Sequence, residues 1–226
     1  MVMIYSLFFS IFAGISAGTS AVAVFNRLPV RWLCDYGEEP CGDLIQAGKK
    51  RIEVFPWNVV FSTFFSLAAL MLAASFGFLH ALAALAPLWL LLEISVADIK
   101  YMIIPDQFVL LLALAASCFL PYHSSLLSPL YGAAVGGGCM FAVGAAGKLI
   151  YKKEALGFGD VKLFAAIGLI AGPLGVSLIL AFSSFLSCSA FCACLLLKRI
   201  KRTDVMPLGP YIFLAYFFHE LLRSTI

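Results

Sequence analysis

Two carboxylates stand where apolar segments give way to charged ones. Asp98 lies in Ala97-Asp98-Ile99-Lys100-Tyr101-Met102-Ile103-Ile104-Pro105-Asp106, and Asp160 in Leu156-Gly157-Phe158-Gly159-Asp160-Val161-Lys162-Leu163. Two such groups brought within hydrogen-bonding range share one proton, because like charges at that distance cannot both ionise. The charged one then takes a proton from water while the neutral one donates to the carbonyl under attack. That is aspartyl peptide hydrolysis, which needs neither metal nor cofactor. Spacing alone leaves a plainer reading open: acidic residues beside Lys100 and Lys162 that cap helices at an interface. The two aspartates are 62 positions apart, so only the fold can bring them together.

The composition states what kind of fold that must be. Of 226 residues, 63% are apolar and 12% charged, against roughly 25% charged in a soluble domain, and the mean hydropathy is +1.03. This excludes a soluble globular domain, a nucleic-acid binder resting on a basic patch and a disordered chain. The expected fold is all-α, a polytopic membrane bundle. A helix crossing ~30 Å of hydrocarbon needs about 20 residues. Residues 1–25 carry no charge and make one span. They lack a basic n-region and read as a retained span rather than a cleaved signal peptide. Residues 54–97, broken only by Glu93, are too long for one crossing and must fold back near residues 77–80. Residues 107–147 again need a hairpin, near residues 121–125. Residues 163–197 turn at Gly172-Pro173, and Met206 opens a last span. The count is about eight.

The basic residues orient this bundle. Fourteen of the fifteen fall in the stretches 26–53, 98–106, 148–162 and 198–204, leaving Arg223 on the other side. The positive-inside rule puts those stretches in the cytoplasm and both termini outside. Asp98 and Asp160 then share the cytoplasmic face. The apolar run 163–171 is short, about 14 Å as a helix. Reaching across draws residues 157–162 into the membrane boundary, an expensive place for a carboxylate without a purpose or a partner. Gly157 and Gly159, lacking Cβ atoms, allow a bend and a close approach there.

Together these motifs resemble the type IV prepilin peptidase family, membrane aspartyl proteases with a GxGD signature. Asp98 with Ile104-Pro105-Asp106 and the Gly157–Leu163 run carry the resemblance. Asn26-Arg27-Leu28-Pro29 after a span with Gly14 and Gly18, and Met206-Pro207-Leu208-Gly209-Pro210-Tyr211, extend it over nearly the whole chain. Presenilin-like proteases share GxGD but fit worse: Val96-Ala97 precedes Asp98, and no Pro-Ala-Leu occurs. The resemblance implies Asp98 and Asp160 as the catalytic pair and Asp106, with Pro105, as structural support for the active loop. It implies no cofactor. It further implies a bacterial cytoplasmic (inner) membrane enzyme of type IV pilus or protein-secretion systems. Prepilins or pseudopilins would be its substrates, their basic leader cut on the cytoplasmic side. A substrate of that design places its cleavage point at the boundary where both aspartates fall.

One departure concerns the first cytoplasmic loop, residues 26–53. Many family members carry two Cys-x-x-Cys pairs there, suited to a four-thiolate zinc site. This loop has only Cys34 and Cys41 and no His, so a four-ligand site cannot be completed within it. The expectation is plain loop residues, with a shared or inter-chain metal site as the alternative. No glycine-rich nucleotide fingerprint follows a strand, and methyl transfer to the new amino terminus, linked to that loop in bifunctional relatives, is doubtful. Cys118, Cys139, Cys188, Cys192 and Cys194 are expected as small packing residues within spans. The glycine run 132–138 has the spacing for close helix packing, with dimerisation the lesser reading. Glu93 is expected to face the bundle interior or a polar partner without a catalytic role. Lys162, two residues from Asp160, tunes its charge or sits near phospholipid head groups. The chain is read as one peptidase domain over residues 1–226, with substrate and membrane lipid as partners, no nucleic acid, and no oligomeric state assigned. Two other classes use the same residues differently. A proton-coupled transporter wants its charges near the midplane and often an internal repeat, whereas this pair lies at one face. A non-catalytic assembly platform needs neither aspartate for cleavage.

Overall fold

The computed structural model describes residues 2–34, 51–123, 125–152, 157–201 and 205–223. Every regular element among them is helical. In chain order they are α1 (Val2–Arg27), α2 (Trp57–Phe76), α3 (Phe78–Tyr101), α4 (Asp106–Ala115), α5 (Ser128–Tyr151), α6 (Phe158–Leu196) and α7 (Gly209–Leu222). Short 3₁₀ turns cover Val30–Leu33 and Ala116–Tyr122, the latter continuing α4. Among the described residues, five helices are long and apolar enough to cross a membrane, with 20 to 39 residues each. The expected count of about eight also took in Asp106–Tyr122 and α7, which are shorter than that, and divided α6 in two. At 39 residues α6 is about 58 Å long, far more than one crossing uses. Gly172 leaves the helical conformation inside it, at φ 72° and ψ 179°. Only glycine adopts that φ at little cost, and Pro173, with no N–H to lose, follows it. Gly77 does the same at φ 88° between α2 and α3, where the apolar run was expected to fold back.

The chain forms two compact units. The first takes in Met1–Glu93 and Glu220–Ile226. Within it α1 lies along α2. Gly14 and Gly18 approach the backbone of Phe65, Ser66, Phe61 and Ser62 so closely that a Cβ at either position would overlap it. In lipid, where apolar side chains gain nothing by leaving the solvent, such close backbone packing holds helices together. Trp89 of α3 donates its indole N–H to the Ala17 carbonyl at 3.1 Å. Asn26 closes the neck of the first loop: its amide donates to the Ile52 carbonyl at 3.0 Å and accepts the Ile52 N–H at 2.8 Å. The Arg51 guanidinium adds a bond to the Phe25 carbonyl at 3.2 Å.

The second unit is Ile94–His219. Here α5 and α6 pack backbone to backbone. Gly132 and Gly168 face each other, and Gly136 lies on the Phe164 carbonyl. The glycine run therefore serves packing inside the chain. Phe164, Ile167 and Ile170 form the buried side of α6, while Phe185 and Leu174 point outward. The cysteines depart from expectation: Cys118, Cys139, Cys188 and Cys192 are exposed and Cys194 is half-buried. The expectation was of small packing residues within spans, because they fall in apolar runs. A small thiol is equally at home on an apolar outer surface, so hydropathy does not separate the two positions.

Candidate active site

The second unit holds Asp98, Pro105, Asp106, Gly157, Gly159, Asp160 and Lys162. Asp98 sits in the last turn of α3, one turn after Ser95 on the same side of the helix. The helix ends just beyond, where Met102 takes a left-handed conformation (φ 55°) and its N–H bonds the Asp98 carbonyl at 2.9 Å. The Asp98 side chain is buried, 7% exposed, and its Oδ2 accepts the backbone N–H of Gly209 at 2.6 Å. The Leu208 backbone is a further hydrogen-bond partner of this carboxyl. Ser95 donates its hydroxyl to the Gly209 carbonyl at 3.0 Å.

These donors exist because of how α7 starts. The Leu208 carbonyl accepts the N–H groups of Tyr211 and Ile212, both at 3.1 Å, which makes Gly209 and Pro210 the opening helical residues. The first N–H groups of any helix lack partners within it. Pro210 has none to offer, Tyr211 uses its own on Leu208, and the Gly209 N–H is left for Asp98.

Asp160 is positioned by the start of α6. Gly157, extended at φ −68° and ψ 140°, is the N-cap, and its carbonyl accepts the Asp160 N–H at 3.2 Å. Asp160 is half-buried in the first helical turn. Gly159 lies against Ile104 of the segment that follows α3; a Cβ there would come within 3.1 Å of the Ile104 Cβ. The GxGD segment thus packs on the stretch leading out of the Asp98 helix. The two carboxyls lie within electrostatic reach of each other, the Asp98 charge acting on Asp160.

The supporting residues tie the same corner together. Pro105 precedes α4 in an extended conformation and Asp106 opens the helix. Both Asp106 oxygens accept from the Lys162 ammonium, at 2.8 and 2.9 Å, and that ammonium lies 5.5 Å from the centre of the Phe158 ring. Lys162 therefore fastens the first turn of α6 to the start of α4. Cys34 donates its thiol to the Val30 carbonyl at 3.2 Å, and Cys41 falls outside the described residues. Among those residues no cluster of His, Cys, Asp and Glu is arranged to hold a metal. Glu93 is 1% exposed, and among the described residues neither of its carboxyl oxygens has a hydrogen-bond partner. Ser95 was not singled out in the sequence, although its i,i+3 spacing to Asp98 was there to be read. Gly209 appeared only as part of a motif, because a backbone N–H leaves no mark in the residue type that carries it.

Residues 84–194 match the type IV leader peptidase family. Among relatives, the prepilin leader peptidase/N-methyltransferase of Aeromonas hydrophila is 32% identical over 149 residues, covering 65% of this chain and 50% of that protein. The protein of the same name from Xanthomonas campestris pv. campestris is 29% identical over 182 residues, 76% of this chain and 62% of its own. That from Pseudomonas putida is 31% identical over 154 residues, 66% and 53%. The chain spans about half the length of the first of these relatives. No solved structure matches.

Proposed function

We propose that this chain, whose residues 84–194 match the type IV leader peptidase family, is an aspartyl endopeptidase that removes the basic leader of type IV prepilins or pseudopilins. Asp98 and Asp160 are its catalytic pair. One carboxylate takes a proton from the attacking water, and the other carboxyl donates to the scissile carbonyl. Gly157 and Gly159 set the turn that presents Asp160, and Pro105, Asp106 and Lys162 hold the corner. The chain acts as one peptidase domain in the bacterial inner membrane, with about eight crossings once α4, the two halves of α6 and α7 are each counted. Its basic loops and cleavage site are cytoplasmic and both termini outside. Such a substrate carries its cleavage point just before an apolar helix, at the depth proposed for both aspartates.

The observation that carries this reading is the convergence of Asp98 and Asp160, 62 positions apart, within one compact unit and within electrostatic reach of each other. The relatives' names supply the substrate class. Methyl transfer, also in those names, is no part of the proposal. The test uses the protein purified in detergent and a prepilin peptide spanning leader and apolar start. Asp98→Asn and Asp160→Asn should each abolish cleavage, and undiminished cleavage by either would overturn the mechanism. Mass spectrometry of the mature amino terminus reads methylation in the same reaction.

A further inference from the structure

We infer that the N-terminus of α7 is the positioning element of the catalytic pair: the Gly209 backbone orients the Asp98 carboxyl, Ser95 locks that backbone in place, and a side chain at position 209 would push against both. The inference rests on the reading of Asp98 as catalytic and deepens it by naming what holds Asp98 in its working geometry.

Three observations carry it. The Gly209 N–H meets Asp98 Oδ2 at 2.6 Å, a short contact of the charge-assisted kind. Both peptide groups of Gly209 are used on the last turn of α3: the N–H by Asp98 and the carbonyl by the Ser95 hydroxyl at 3.0 Å. Neither bond can pivot without straining the other. Finally, a Cβ at position 209 would lie 3.0 Å from Asp98 Oδ2, 3.1 Å from Asp98 Cβ and 3.1 Å from Ser95 Cα. Even the smallest side chain would press on the carboxyl itself. Peptide donors suit the task because they cannot take up or release a proton. They fix the direction of the carboxyl without entering its proton exchange with Asp160, whereas a side-chain acid or base in the same place would join it. Catalysis by aligned groups is sensitive to displacements of about an ångström, so a shift at Gly209 acts on the chemical step rather than on capture of the leader.

The experiment compares purified full-length variants on the prepilin peptide, with kcat, KM and thermal midpoint in detergent measured for each. Gly209→Ala is expected to lower kcat at least tenfold with KM within about twofold. Ser95→Ala, which only removes atoms, is expected to lower kcat about threefold or more in the same pattern. The double variant is expected to be no worse than Gly209→Ala alone, because both act through one contact. Gly137→Ala is the packing control. Its Cβ meets the Ala165 Cβ at 3.1 Å, a comparable crowding with no link to Asp98, and it should lower the thermal midpoint while leaving the kcat of folded protein unchanged. The inference is overturned if Gly209→Ala and Ser95→Ala keep wild-type kcat while Asp98→Asn is inactive. It is equally overturned if Gly209→Ala costs no more kcat than Gly137→Ala. Activity retained by Asp98→Asn would instead overturn the reading on which it rests.

Discussion

Asp98 and Glu220 are both buried carboxyls on apolar helices, and they are held in opposite ways. Glu220 is fully buried and faces basic side chains: His80 Nε2 lies 3.2 Å from Oε2, and Arg223 Nη1 3.7 Å from Oε1. The His80 ring stacks in turn on Phe76, centroids 4.8 Å apart. Asp98 is oriented by peptide N–H groups and lies within electrostatic reach of a second acid. A carboxyl held between basic side chains is committed to joining α3 to α7. One held by neutral dipoles is not committed to an ion pair, which leaves its proton free to move in the proposed reaction. The type of partner, more than the degree of burial, separates a strut from a reactive group.

The largest effect that would break this contrast belongs to the proposed catalytic pair. Asp160→Asn and Asp98→Asn should each reduce kcat at least about a hundredfold, the lower range for general acid–base groups, with thermal midpoints in detergent close to wild type. Glu220→Leu should do the reverse. Stranding His80 and Arg223 costs roughly 3–5 kcal/mol of stability, read by chemical unfolding in detergent, while the folded fraction keeps its kcat. Adding His80→Leu to it should recover part of that loss. If Glu220→Leu instead removes activity from well-folded protein, the distinction fails. Glu93 sharpens it from a third side, being a buried carboxyl without a hydrogen-bond partner among the described residues. Replacing it by Leu should stabilise the protein by about 1–3 kcal/mol and leave cleavage intact, as a rise in thermal midpoint would show. The smallest effect is expected at Lys162→Ala. Its bond to Asp106 is 40% and 32% exposed on the two sides, so its loss costs at most about 1 kcal/mol of stability, and a peptide assay should show less than a fivefold change.

Much of this was readable in the chain, for reasons that differ by residue. Asp98 and Asp160 declare themselves because charge is so scarce that each acidic residue at the edge of an apolar run is conspicuous. Gly77 and Gly172 declare themselves because apolar runs too long for one crossing have to bend, and glycine supplies the φ. Span counting was less secure. Hydropathy sees residues 107–147 as one uncharged stretch and does not register that α4 tightens into a 3₁₀ turn after Ala115. The His80–Glu220 pair joins residues 140 positions apart with no periodicity linking them. Gly209 was unreadable for a different reason, since its contribution is an N–H that nearly every residue possesses. What distinguishes it is the space around it, and space is a property of the folded chain.

The bracket formed by Asn26 and Ile52 has a practical corollary. With Asn26 and Ile52 joined by a reciprocal amide pair, a change in the number of residues between them should leave the register of α1 and α2 unchanged, which helix–helix crosslinking would check. Doubling the length of that stretch would add only about 0.6 kcal/mol of closure entropy. An engineer can use the same neck as the insertion point for an affinity handle.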